Sequence, residues 1–279
     1  MASEYPSLKD RVCIVTGGGR GLGYEMAMAL VEAGAKVVIS SAREVGELKA
    51  VEKEAEAITG AGRLVAVQAD VQDYAACEAL VATTIETFGG LHCVINNAGR
   101  GLKSVNPDYV LNPIPFYEAP VDGWHEIITT NVLGPFHLAK AAAPHLVEQG
   151  FGRIINVSTS DVTMIRRGYS PYGPSKSALE AMSRVWAQDL EGTGVTVNVF
   201  LPGGATDTAI LPEMANKRGS DGNLLAPEIM RAPILWLCAD ESNGHTGERY
   251  IARLWDDSLP MEAAATGARD KHHEKPGIM

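Results

Sequence analysis

The stretch Val12-Cys-Ile-Val-Thr-Gly-Gly-Gly-Arg-Gly-Leu-Gly23 decides how the rest of this chain is read. A β-branched run, Val12 to Val15, leads straight into TGGGRGLG, Thr16 to Gly23, and a helical pattern through Met26, Leu30 and Ala33 follows. Backbone approaches a pyrophosphate only where Cβ is absent, and a helix that begins at such a turn directs unsatisfied N–H groups at the anion. Strand, glycine turn and helix in that order predict a dinucleotide phosphate site, with Gly17, Arg20, Gly21, Leu22 and Gly23 against the ligand. Taken alone, the segment also reads as a tight structural turn.

Outward from it, short apolar runs alternate with helical patterns: VVIS (37–40), LVAV (64–67), CVI (93–95), IINV (154–157) and VTVNVF (195–200), with GERYIARL (247–254) as a last strand. Val45, Leu48, Ala55 and Ile58 recur at helical spacing before the third run, and Cys77, Val81, Thr84, Ile85 and Phe88 before the fourth. This alternation predicts an α/β protein: one doubly wound Rossmann-type domain over residues 1–259, a mostly parallel sheet of about seven strands with helices on both faces. Residues 260–279 offer little to a core and read as a tail that is disordered or crosses a subunit interface. Pro107, Pro113, Pro115 and Pro120 make Arg100 to Asp122 an irregular loop beside the active site. Ala209 to Asn223 reads as a mobile lid over a cofactor cleft.

Composition narrows the function. A chain of 279 residues, 46% hydrophobic, buries a sizeable core within one domain. Its net charge of -10 opposes capture by nucleic acid or an anionic membrane surface, so the expected partner is a small molecule. No run approaches the roughly twenty apolar residues of a membrane span, and the first residues lack a signal-peptide pattern, which points to the cytoplasm. Cys13, Cys77, Cys93 and Cys238 are widely spread and the seven histidines show no HExxH spacing, so reduced thiols and no metal are expected.

Behind Thr16, the spacing of Gly17, Gly21 and Gly23 is followed in order by Asp70-Val71, Asn96-Asn97-Ala98-Gly99 and Pro202-Gly203. With these segments the chain resembles the short-chain dehydrogenase/reductase family from about Leu8 to Leu254. The resemblance implies that Asp70 and Val71 contact adenine, that Asn97, Ala98 and Gly99 pass close to the cofactor, and that Pro202 and Gly203 hold its nicotinamide end. It implies NADP(H) or NAD(H) as cofactor and a homo-oligomer, tetramer or dimer, built through helix and last-strand contacts.

Tyr172-Gly-Pro-Ser-Lys176 is a YxxxK motif at the start of a helical stretch. Residues four apart share a helix face, and an adjacent cation favours phenolate, bringing the phenol proton toward working pH. Tyr172 is then the general acid of carbonyl reduction and the base of alcohol oxidation. By resemblance, Lys176 also holds the nicotinamide ribose, and Asn131 fixes a water in a proton relay ending at the lysine. Otherwise Asn131 is a helix-kink residue bonded to backbone. The family places a serine thirteen residues before the tyrosine, where this chain has Thr159. Ser158 and Ser160 flank it, and a one-residue change in the strand exit would present either instead.

The expected function is hydride transfer between NADP(H) or NAD(H) and a carbonyl or secondary alcohol. The altered serine position leaves a catalytically impaired dinucleotide-binding regulator as the alternative, and a lyase or epimerase using the cofactor transiently as a third. NAD-preferring enzymes carry an acid at the end of the second strand, whereas this chain has Ser41, with Arg43 and Arg20 in reach of a 2′-phosphate. That predicts NADP over NAD, unless Glu44 pairs with Arg43 and leaves a pocket of dual preference. Tyr109, Phe116, Tyr117, Ile165, Ile210, Leu211 and Met214 read either as an apolar wall for a hydrophobic substrate or as packed loop.

Overall fold

The computed structural model describes residues 5–212, 217–218 and 222–270. Among these, seven strands form one sheet: β1 (Val12–Thr16), β2 (Lys36–Ser41), β3 (Leu64–Gln68), β4 (Cys93–Asn96), β5 (Gly152–Val157), β6 (Val195–Leu201) and β7 (Arg249–Ile251). Their order is β3-β2-β1-β4-β5-β6-β7 with every neighbour parallel, so the chain winds outward from β1 to β3 and returns to β4 on the other side. Ligands of such sheets bind where the order reverses, at the C-terminal strand ends between β1 and β4.

The helices are α1 (Gly21–Glu32), α2 (Val45–Thr59), α3 (Tyr74–Phe88), α4 (Val121–Ile128), α5 (Gly134–Glu148), α6 (Asp161–Met164), α7 (Tyr172–Asp189), α8 (Arg231–Cys238) and α9 (Met261–Ala268). Successive strand side chains point to opposite faces, which sorts the core into two layers. Val15, Ile39 and Ile95 pack with α1, α2 and α8, while Ile14, Val38, Val94 and Ile154 pack with α3 and α5. Burial on both faces explains why these strands read as continuous apolar runs. Local chemistry sets the helix ends: Asp73 accepts the Ala75 N–H at the start of α3, and Gly89, at φ 81°, ends it in the left-handed conformation.

The structure revises or adds to four readings. The last strand is only Arg249–Ile251, followed by a 3₁₀ turn over Ala252–Leu254. The proline-rich loop contains 3₁₀ turns at Leu102–Ser104 and Phe116–Glu118 and a small core of its own: Leu102, Val105 and Tyr109 bury against Ile127, with Tyr169 and Tyr172 packed on them. The expected tail contributes α9, whose Ala264, Ala265 and Ala268 are buried, and Arg269 bridges to Tyr250. Small side chains let this helix sit close on the β7 edge, which is why its sequence carried no core signal. Residues 271–279 lie outside the described residues, as do 213–216 and 219–221 of the expected lid.

Fourth, three widely spaced cysteines converge. Cys13 and Cys93 are register partners on β1 and β4, and Cys238 ends α8 on the same face. The three sulfurs lie within 4.8 Å of one another and are buried. Linear spacing carries no trace of this, because parallel strands juxtapose residues separated by whole crossover units.

Candidate active site

The glycine turn between β1 and α1 lines one end of a cleft of about 900 Å³ across the C-terminal strand ends. Gly17 and Gly21 have φ of +65° and +54°, conformations that L side chains rarely adopt. A methyl at Gly23 would lie 2.1 Å from the Gly17 carbonyl oxygen, so α1 presses directly on the turn. Its first N–H groups have no side-chain cap and remain available to an anion. Thr16 Oγ1 accepts from the N–H groups of Asn97 and Ala98, each at 3.0 Å, and Asn97 Nδ2 donates to the Thr16 carbonyl at 2.8 Å. These bonds join the Asn97-Ala98-Gly99 segment to the cradle. Leu22, Asp70, Val71, Pro202 and Gly203 line the same cleft.

Acidic groups surround the expected ribose end. Ser41 Oγ donates to Glu44 at 2.7 Å and holds its carboxyl below the ordinary range. Arg20 pairs with Glu44 at 3.3 Å and with Glu47 at 3.0 Å. Arg43 turns to the rim, 3.8 Å from Glu126, and is not among the residues lining the cleft. The anticipated Glu44–Arg43 pair is replaced by Glu44–Arg20.

At the other end, Tyr172 opens α7 and lines the cleft together with Thr159, just beyond β5. Burial pushes the phenol up, and the nearby Thr159 side chain opposes this. Lys176, one turn on, is buried and donates to the Val157 carbonyl at 2.8 Å. Burial pushes its ammonium down to about 8. The expected pull of the lysine on the phenol is therefore not delivered in this arrangement: the ammonium is engaged by a carbonyl, and desolvation dominates the tyrosine. The flanking serines are engaged elsewhere, Ser158 with Glu180 at 2.6 Å and Ser160 with Thr163 at 2.9 Å.

Asn131 sits in a π-helical turn, Thr129–Leu133, between α4 and α5. Its Oδ1 accepts the Arg100 N–H at 2.8 Å, and its Nδ2 donates to the Arg100 carbonyl and to Ser175 Oγ, each at 3.0 Å. The backbone-bonded reading describes these contacts. The side chain also borders the lysine, since a methyl at Gly99 would lie 3.3 Å from Asn131 Oδ1 and 3.7 Å from Lys176 Nζ.

Sequence reasoning missed Arg249. From β7 its Nε donates to both Glu180 oxygens at 3.1 and 3.2 Å, Nη1 to Asp270 at 2.5 Å, and Nη2 to the Thr159 carbonyl at 3.0 Å. The arginine thus braces the backbone that presents Thr159. Its partners are too far apart in sequence for any local pattern. Of the expected apolar wall, Tyr109, Ile210 and Leu211 line the cleft; Phe116, Tyr117 and Ile165 are each 74% exposed and do not; Met214 lies outside the described residues.

A seven-stranded parallel sheet with a glycine cradle at its switch point and a Tyr172–Lys176 helix face across the crevice defines a Rossmann-type α/β protein. Residues 11–219 match the family described as short chain dehydrogenase, and the chain belongs to the short-chain dehydrogenase/reductase family of oxidoreductases. It is 38% identical over 200 residues to a short-chain type dehydrogenase/reductase of Picea abies, covering 70% of this chain and 71% of the relative. It is 32% identical over 246 residues to the 2,5-dichloro-2,5-cyclohexadiene-1,4-diol dehydrogenase LinX of Sphingobium indicum, covering 86% and 93%. Among solved structures, a dehydrogenase/reductase from Sinorhizobium meliloti 1021 superposes with a TM-score of 0.75 at 29% identity, covering 89% of this chain and 96% of that one. A 3-ketoacyl-(acyl-carrier-protein) reductase from Brucella melitensis, complexed with NADH, gives 0.76 at 26% identity, covering 87% and 96%. No helix among the described residues is long and apolar enough to cross a membrane.

Proposed function

We propose that this chain interconverts a carbonyl compound and a secondary alcohol with a nicotinamide dinucleotide, using Tyr172 as the proton-transfer group. The observation that carries this is the convergence of Thr159, Tyr172 and, one helical turn on, buried Lys176 on one cleft continuous with the glycine cradle. The cradle fits the cofactor: left-handed glycines and an uncapped helix N-terminus leave backbone N–H groups open where side chains would block a pyrophosphate. Gly17, Arg20, Gly21, Leu22 and Gly23 would hold the phosphates, Asp70 and Val71 the adenine, Asn97, Ala98 and Gly99 the middle, and Pro202 and Gly203 the nicotinamide.

Bound there, the dinucleotide supplies or accepts the hydride. In reduction, Tyr172 gives its proton to the carbonyl oxygen while the Thr159 hydroxyl donates to the same oxygen and steadies its developing charge. In oxidation Tyr172 takes the alcohol proton. Lys176 would turn from the Val157 carbonyl to the ribose hydroxyls, where its charge favours the phenolate. Asn131 lies beside it, placed to steady a water that relays the proton onward. A panel of ketones and alcohols, followed by nicotinamide absorbance, tests this: native turnover lost in Tyr172→Phe is expected, and no native turnover overturns the reading. The presence of Thr159, Tyr172 and Lys176 together on the cleft supports an enzyme over a regulator.

The surroundings of Ser41 shift the expected NADP preference toward NAD. Glu44 would repel a 2′-phosphate, and the two arginines on which NADP binding depended face carboxylates. Native kcat/KM is expected to favour NAD, with NADP use improved in Glu44→Gln; native preference for NADP would sink this assignment. Four unpaired cysteines support a reducing compartment, the cytoplasm. Exposed Leu133, Phe136 and Val185, in and around α5 and α7, support a homo-oligomer assembled through those helices.

A further inference from the structure

The cleft has two halves of opposite charge. The strand ends β1 to β3, where the cradle and the Ser41 region lie, contribute Arg20 against Glu44, Glu47 and Asp70. The segments after β4 to β7 contribute Lys103, Arg167, Arg218 and Arg253 against Asp161 alone, among the described residues and apart from Lys176, the Glu126-paired Arg100 and Arg166, which is engaged by other groups. A local basic surplus in a chain of net charge -10 concentrates anions, because a cleft with low-dielectric walls focuses the field of its lining.

Several of these cations are placed at the reacting end. Lys103 Nζ donates to the Ala209 carbonyl at 2.6 Å, a neutral acceptor that leaves its charge uncancelled. Arg253 reaches past Gly203, where a methyl would lie 2.7 Å from its Cγ. The cofactor's phosphates do not account for the surplus, since the cradle that fits them belongs to the opposite half. Half of the described apolar wall is absent: Phe116, Tyr117 and Ile165 face solvent, and Tyr109, Ile210 and Leu211 remain.

We infer that the substrate is a small anion, a keto acid or hydroxy acid whose carboxylate is held by the basic side of the mouth while its carbonyl or alcohol meets Tyr172. This rests on the oxidoreductase reading above. Arginine suits the role, since its planar fork bonds both carboxylate oxygens.

The test compares oxo acids of graded chain length with their methyl esters in the native holoenzyme. The acids are expected to have kcat/KM about tenfold or more higher, an advantage that shrinks as salt is raised. The same acid-to-ester ratio is expected to fall in Arg167→Gln and in Arg253→Gln. Arg167 is exposed, so that variant keeps the fold. Esters used as well as acids, or a ratio unmoved in both variants, overturns the inference. Should neither series turn over with either nicotinamide, the oxidoreductase reading fails by itself. Calorimetry with hexanoate and hexanamide then decides the present one: hexanoate binding that weakens with salt and in Arg167→Gln supports it, and equal binding of the two overturns it.

Discussion

Burial keeps the Tyr172 phenol neutral and works against the charge of the Lys176 ammonium. Replacing Tyr172 with Phe removes the proton and keeps the ring, so turnover is expected to fall by roughly 10²–10⁴-fold or more while calorimetric cofactor affinity persists. Thr159→Ala is expected to cost on the order of a hundredfold in kcat, with Thr159→Ser tolerated and Ser158→Ala mild, since Ser158 bonds Glu180 instead. A crippled Ser158→Ala beside a mild Thr159→Ala would reassign the role. Lys176 carries a stability consequence whose sign is fixed. Its ammonium falls to about 8 in the folded protein, against about 10.4 for an unfolded lysine. Between these values the unfolded chain holds a proton that the folded one has released, so stability rises with pH across that window. Below it both states are protonated and the burial penalty, on the order of 3 kcal/mol, is constant. Lys176→Met is therefore expected to raise Tm at neutral pH while abolishing turnover; an unchanged or lower Tm would contradict the penalty.

Among elements, the β1 turn and the α9 region make opposite demands on sequence reading. The turn was legible because its glycines answer a local steric need, and Gly23→Ala is expected to weaken both stability and cofactor affinity, since a methyl there meets the Gly17 carbonyl oxygen at 2.1 Å. Titrating the variant with the dinucleotide and following its thermal unfolding checks both. The strands were legible for a related reason: burial on both faces demands unbroken apolar runs. The bracing of Thr159 was not legible, because Arg249, Glu180 and Asp270 come from β7, α7 and the stretch after α9, and only the assembled sheet edge brings them together. Arg249→Lys keeps the charge and loses the fork. It is expected to lower kcat by about ten- to a hundredfold with little change in KM, as displacement of an aligned group does. A rise in KM at constant kcat would place Arg249 in binding rather than in positioning. Phe116 and Tyr117 mark the remaining limit: an apolar side chain in a loop gives no sign of which way it faces.

For the whole molecule, net charge told which partners to exclude but not that the cleft divides by sign, which depends on which loops follow which strands. Nor did spacing show the meeting of Cys13, Cys93 and Cys238 beneath the sheet. All four thiols are buried. Native protein is expected to react slowly with an excess of a disulfide reagent such as dithionitrobenzoate and to release four equivalents once unfolded. A rapid native equivalent would show an open thiol. Since the central trio reacts only when the sheet opens, its labelling rate follows the population of the open state. A compound that binds the folded chain lowers that population by the factor 1 + [L]/Kd. The sulfur core is thus a built-in gauge of occupancy, and mass spectrometry of labelled cysteines can rank candidate dinucleotides and acids in a mixture before a single turnover has been seen.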